Sequence, residues 1–73
     1  MNNQHTIIGK QVRVTDAIGA GTNNLGTVMI PVRGGTEEFY AISSDGNPIP
    51  VGTGVVVLEY RPPRTVVVAA DLF

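Results

Sequence analysis

The sequence predicts an all-β domain, and three observations carry the prediction. Its apolar residues are mostly aliphatic and β-branched, and the restricted χ1 of Val, Ile and Thr suits a pleated sheet. Nine Gly and five Pro punctuate the chain, as turns require. Apolar positions alternate with period two in several short stretches, and none holds a 3.6-residue period. One short helical turn near Gly46–Gly52 is the most that fits.

The elements follow in order. Residues 1–6 read as a loose polar tail, and residues 7–73 as one barrel domain. Lys10–Ile18 alternates, with Val12 and Val14 on one face and Gln11, Arg13 and Thr15 on the other. Ala17–Asn24 is loop. Leu25–Arg33 alternates again, Val28, Ile30 and Val32 opposing Thr27, Met29 and Pro31. Pro31 cannot donate to a ladder, which predicts an edge or a bulge there. Arg33-Gly34-Gly35-Thr36 reads as a hairpin turn. Glu37–Ser43 is a third strand, with Phe39 and Ala41 facing one way and Glu38, Tyr40 and Ile42 the other. Ser43–Pro48 is turn chemistry throughout. Gly54–Tyr60 is the fourth strand and Thr65–Ala70 the fifth. Arg61–Arg64, RPPR, lacks the Asn-Gly of a tight turn and predicts a wider or distorted connection.

An open five-stranded sheet has two exposed edges, and closure into a barrel removes them. A Greek-key barrel of the OB type fits the strand number and lengths, and an SH3-like barrel is the alternative. The 73 residues make one small domain with a thin core. There is no cysteine, so no disulfide or Cys-based zinc site reinforces it. The net charge of −1 argues against a nucleic-acid or polybasic membrane-surface binder. The longest apolar runs, Val55–Leu58 and Val66–Ala70, are far short of the roughly 20 residues of a membrane-spanning helix. Met1–Thr6 has no signal-peptide character, so any membrane anchor would lie outside these residues.

Strand four is apolar on both faces. Strict alternation places Val55 and Val57 inside and Val56, Leu58 and Tyr60 outside. The outer face is then either covered by the tail or a loop, or meets another chain. With Val67 of strand five, Val56, Leu58 and Tyr60 are the candidate partner contacts, and a homo-oligomer is one way to use them.

Five segments resemble the C-terminal soluble domain of NfeD-type membrane proteins, an OB-fold barrel. They are IIGKQVRVTD (Ile7–Asp16), LGTVMI (Leu25–Ile30), EEFYA (Glu37–Ala41), IPVGTGVVV (Ile49–Val57) and TVVV (Thr65–Val68). The Ile-Pro-x-Gly-Thr element is the most specific of them. Departures are Phe39 where the family often has Trp, and RPPR in place of an Asp-Gly-type turn. The resemblance implies a partner of the stomatin or flotillin (SPFH) type and a role in membrane-protein quality control or microdomain organisation. It also implies a parent anchored in the cell membrane. With the lack of cysteine, it places this domain in the cytoplasm. The protease-like N-terminal domain of longer relatives has no counterpart here.

The residues offer little chemistry. His5 lies in the tail, which leaves Ser and Thr without a base. Glu37 and Glu38 are adjacent on a strand, face opposite ways and cannot form a dyad. Asp16, Asp45 and Asp71 sit at strand ends as solvated or turn-capping carboxylates. The loop Gly19–Gly26 has neither phosphate-loop spacing nor a following helix, and reads as a mobile connection. No catalytic residue, metal or cofactor is expected. OB folds often stack bases on aromatics in a basic groove. Tyr60, Arg61 and Arg64 are therefore the alternative nucleic-acid contact. The expected function is a non-enzymatic docking module.

Overall fold

In the computed structural model, which describes residues 7–21 and 24–71, the alternating stretches become five strands: β1 (Gln11–Asp16), β2 (Gly26–Val32), β3 (Gly35–Ser43), β4 (Gly54–Arg61) and β5 (Thr65–Ala70). The expected tail, residues 1–6, lies outside the described residues. Alternation in β1 and β2 turns Val12, Val14, Val28 and Ile30 inward, where all are buried. From β3 to β5 the inner face is continued by Phe39, Ala41, Val55, Val57, Val66 and Val68.

The strands close in the order β1-β2-β3-β5-β4, with β4 pairing back onto β1. β5 lies between β3 and β4 and runs parallel to β3, Ile42 opposite Val67. That Greek-key closure is the OB arrangement rather than the SH3-like alternative. Beyond Val28, β2 is registered only with β3, so Pro31 stands where β1 no longer needs its missing N–H.

Short connections set the barrel ends. β1 stops at Asp16, two residues before the sequence pattern predicted, and Ile18 instead forms an isolated bridge to Ile49. Each backbone N–H donates to the other's carbonyl at 2.8 Å, so two buried isoleucines plug this end. Near Gly46–Gly52, where the sequence allows at most one short helical turn, the chain forms this bridge followed by a tight turn. Gly26 crosses beneath the same segment. A Cβ there would lie 2.4 Å from the Asp16 carbonyl oxygen and 2.6 Å from Ile18 Cγ1. In the described part of the Ala17–Asn24 loop, Gly19 N–H donates to Asn24 O at 3.0 Å and Gly21 N–H to Gly46 O at 2.9 Å.

One register shift changes the reading of β4. Val57 opposes Val68, but Glu59, not Leu58, opposes Val67. Leu58 is the extra residue of a β-bulge, and both Leu58 and Glu59 are exposed. Tyr60 then falls opposite Val66 on the inner side and packs against the core. Its expected place on the outer face is corrected accordingly. Without the bulge, strict alternation would have sent the Glu59 carboxylate into the barrel, at a large desolvation cost.

The β4–β5 connection is distorted, as expected, but it is tight. Arg61 still pairs with Thr65, and the turn is Pro62–Arg64, with a cis Pro62–Pro63 peptide and Arg64 at φ 50°. The β2–β3 hairpin turns on Arg33-Gly34, with Gly34 at φ 90°.

Candidate docking surface

The outer face of the barrel divides into two kinds of surface. Over β1 and β2 it is mixed, with Gln11, Arg13, Thr15 and Thr27 beside the exposed Met29 and Pro31. Thr15 and Thr27 share a hydrogen bond of 2.7 Å between their hydroxyls, and Thr27 Oγ1 donates to Asp16 Oδ2 at 3.1 Å. Over β3, β5 and β4 it carries an apolar patch bordered by polar residues. Ile42 of β3 is registered with Val67 of β5 and Tyr40 with Thr65; across β5, Ala69 is registered with Val56 of β4 and Val67 with Glu59, next to the bulged Leu58.

This apolar face is stepped. Ile42 and Val67, registered with each other, are each only 7% exposed, whereas Tyr40 is 52% and Leu58 48% exposed. Val56 is half-buried. Two large side chains thus rise on either side of a nearly covered floor. Of the expected partner contacts, Leu58 and Val56 lie on this face, Val67 forms its floor, and Tyr60 lies on the opposite side of its strand. Tyr40 and Ile42 belong to the same face. Their parity with Glu38 is readable in the alternation of β3.

The alternative grouping does not form a free basic groove. Tyr60 meets Phe39 edge to face, with ring centroids 6.3 Å apart. Arg64 holds its guanidinium 5.1 Å from the centroid of the Phe39 ring, donates from Nη2 to the Glu38 carbonyl at 2.6 Å and pairs from Nη1 with Glu37 Oε1 at 3.3 Å. Arg61 pairs with Glu59 at 3.1 Å. These contacts bring Tyr60 and Arg64 together as packing at the hairpin end, with each arginine facing a carboxylate.

Elsewhere, side-chain chemistry serves the turns. Asp45 accepts from Ser43 Oγ at 2.7 Å and from the Asn47 N–H at 3.1 Å. The Ser43 hydroxyl, followed by the Asn47 amide, holds its carboxyl below the ordinary carboxylate value. Among the described residues no group of three His, Cys, Asp or Glu side chains could hold a metal ion.

The segment from Ile49 to Thr53 is built to cross β1. Gly52, at φ 88°, donates to Val14 O at 2.8 Å and accepts from Arg13 Nη1 at 2.9 Å, while Thr53 O receives the Val14 N–H at 3.1 Å. A side chain there would strain the left-handed backbone. The model of the NfeD C-terminal domain family matches residues 11–69, this crossing included. The chain belongs to that family.

Two solved structures share the fold. The soluble domain of the NfeD protein YuaF from Bacillus subtilis is 28% identical, with a TM-score of 0.71 over 86% of this chain and 71% of that one. The soluble domain of a membrane protein from Corynebacterium glutamicum, described as implicated in regulation of membrane protease activity, is 23% identical. Its TM-score is 0.67 over 88% of this chain and 90% of that one. No curated protein matches the chain. Within this NfeD domain, no helix among the described residues is long and apolar enough to cross a membrane.

Proposed function

We propose that this NfeD domain is a non-enzymatic docking module: the soluble part of a membrane-anchored parent, facing the cytoplasm and engaging a protein partner of the stomatin or flotillin type. The observation that carries the reading is the stepped apolar face of β3, β5 and β4, where Tyr40 and Leu58 stand half exposed above Ile42 and Val67. Contiguous apolar surface of this kind is what a protein interface uses. Support also comes from the structural neighbour described as the soluble domain of a membrane protein implicated in regulation of membrane protease activity. Regulation of that kind fits a module that positions a partner rather than one that turns over a substrate.

The test pairs the domain with a stomatin-type partner fragment. Val56→Ser with Leu58→Ser removes exposed and half-exposed apolar groups without touching the inner face, so the far-ultraviolet spectrum should be unchanged while capture of the fragment is lost. Retained capture by the folded double variant would sink the reading. Titration with a short mixed-sequence single-stranded DNA supplies the counter-test. Amide shifts confined to Tyr60–Arg64 that vanish on adding salt would replace docking by nucleic-acid binding.

A further inference from the structure

We infer that the partner segment seated on the β3–β5–β4 face is apolar at its centre and cationic at both ends. This rests on the docking reading above and specifies the partner's chemistry. The apolar face runs from Tyr40 over Ile42 and Val67 to Leu58 and Val56. Glu59, registered with Val67 and neutralised by Arg61, borders it on β4, and a carboxylate without a cationic partner stands at each end of it.

At the β3 end, Glu38 shares the face of Tyr40. Its carbonyl is taken by Arg64, but its carboxylate has no ion-pair partner among the described residues. At the far end, Asp71 follows β5 and its N–H donates to Gly54 O at 2.9 Å. Its Oδ2 accepts at 2.8 Å from Gln11 Nε2, and Gln11 is registered with Val56. An amide donor leaves the charge uncompensated. The nearby arginines are committed elsewhere: Arg61 to Glu59, Arg64 to Glu37, and Arg13 to the Gly52 carbonyl.

An apolar segment laid on this face would strip water from both carboxylates, which is costly unless charge is returned. Lys or Arg flanking the apolar centre returns it and steers the encounter. A second copy of this chain cannot do so. Stacked on the same face in either orientation, it sets Glu38 and Asp71 against carboxylates. The geometry therefore favours a different, basic-flanked chain over self-association.

Two synthetic peptides with one shared Leu-rich centre test this, one flanked by Lys and the other by Glu. Each is titrated into the intact chain at low salt and followed by amide shifts. The Lys-flanked peptide should bind about tenfold tighter, the sum of two exposed charge pairs. Its shifts should centre on Tyr40, Leu58 and Gln11. In Glu38→Gln with Asp71→Asn the preference should fall to about twofold or less, with the weaker apolar binding kept. Equal binding of both peptides on this face would overturn the charge inference and leave docking standing. Shifts elsewhere, or none, would overturn it too, with docking then decided by the Val56 and Leu58 variant. Self-association of the free chain that this variant abolishes would assign the face to a second copy and overturn the inference.

Discussion

At Gly26 the barrel leaves no room for a side chain, because the Asp16 carbonyl oxygen would lie 2.4 Å from a Cβ. Gly26→Ala must push apart the β1 end and the Ile18 plug, an overpacking cost of about 1–3 kcal/mol. Chemical denaturation should show a lower midpoint with an unchanged slope, and an unchanged midpoint would contradict the close approach. Gly52 differs in kind. Nothing lies within 4 Å of its Cβ position, but its φ is 88°, so Gly52→Ala carries only the backbone cost, about 1 kcal/mol. Asp45 is the residue whose charge the fold tunes. Its folded pKa is lowered from 3.8, chiefly by the Ser43 hydroxyl, so its stabilising contribution is present above that value. The contribution is lost as pH falls through the folded pKa. Carboxyl-carbon NMR titration should find Asp45 below the ordinary aspartate value, and Ser43→Ala should bring it back up. An unmoved titration in that variant would detach the shift from the hydroxyl.

Among the elements, β4 shows where period-two reading works and where it stops. Alternation located every strand, and it placed Val55 and Val57 inside correctly. It failed after Val57, because a bulge adds one residue and reverses parity for the rest of the strand. The warning was in the sequence: unbroken alternation would have buried Glu59, and a one-residue bulge at Leu58 is the small change that turns it out while turning Tyr60 in. Deleting Leu58 should therefore leave Glu59 outward and Tyr60 against Phe39, with the fold kept. The Tyr60 ring signals and the thermal melt of the deletion check this, and loss of the Tyr60–Phe39 contact in a folded deletion variant would argue against the bulge. The β4–β5 turn carries a second device that residue patterns did not reveal. Arg64 adopts φ 50° and reaches back over Phe39 to the β3 edge. Arg64→Ala should cost about 1 kcal/mol, given half-exposed partners. Arg64→Gly loses the same side-chain contacts but relieves the left-handed backbone. It should equal or exceed the Ala variant, by up to about 1 kcal/mol.

For the whole molecule, closure was legible from five strands and the need to remove edges, whereas the order of closure was not. Which strands meet depends on pairings between distant segments, and local patterns carry no record of them. The apolar face was legible in part: Val56 and Leu58 followed from strand four, but its floor of Ile42 and Val67 exists only because β5 inserts beside β3. That insertion also divides the barrel unevenly. β2 and β3 pair along the whole of β2, from Gly26 opposite Ala41 to Val32 opposite Gly35, and β4 and β5 pair along nearly all of both strands. β1 is held less continuously. It meets β2 through an irregular step between Val14 and Asp16, whereas its pairs with β4 from Gln11 to Arg13 are extended by backbone bonds between Lys10 and Val57 and between Val14 and Gly52 and Thr53, so the weaker ladder is the one to β2. Local opening follows the least continuous ladder, because fewer buried contacts must break there. Native-state hydrogen exchange should thus show β1 amides exchanging before those of β2, β3 and β5, with Val28 and Val66 among the slowest. Protection of β1 equal to that of β3 would mean that the barrel opens only as a unit. A β1 that opens first leaves the β3–β5–β4 face rigid while it meets a partner.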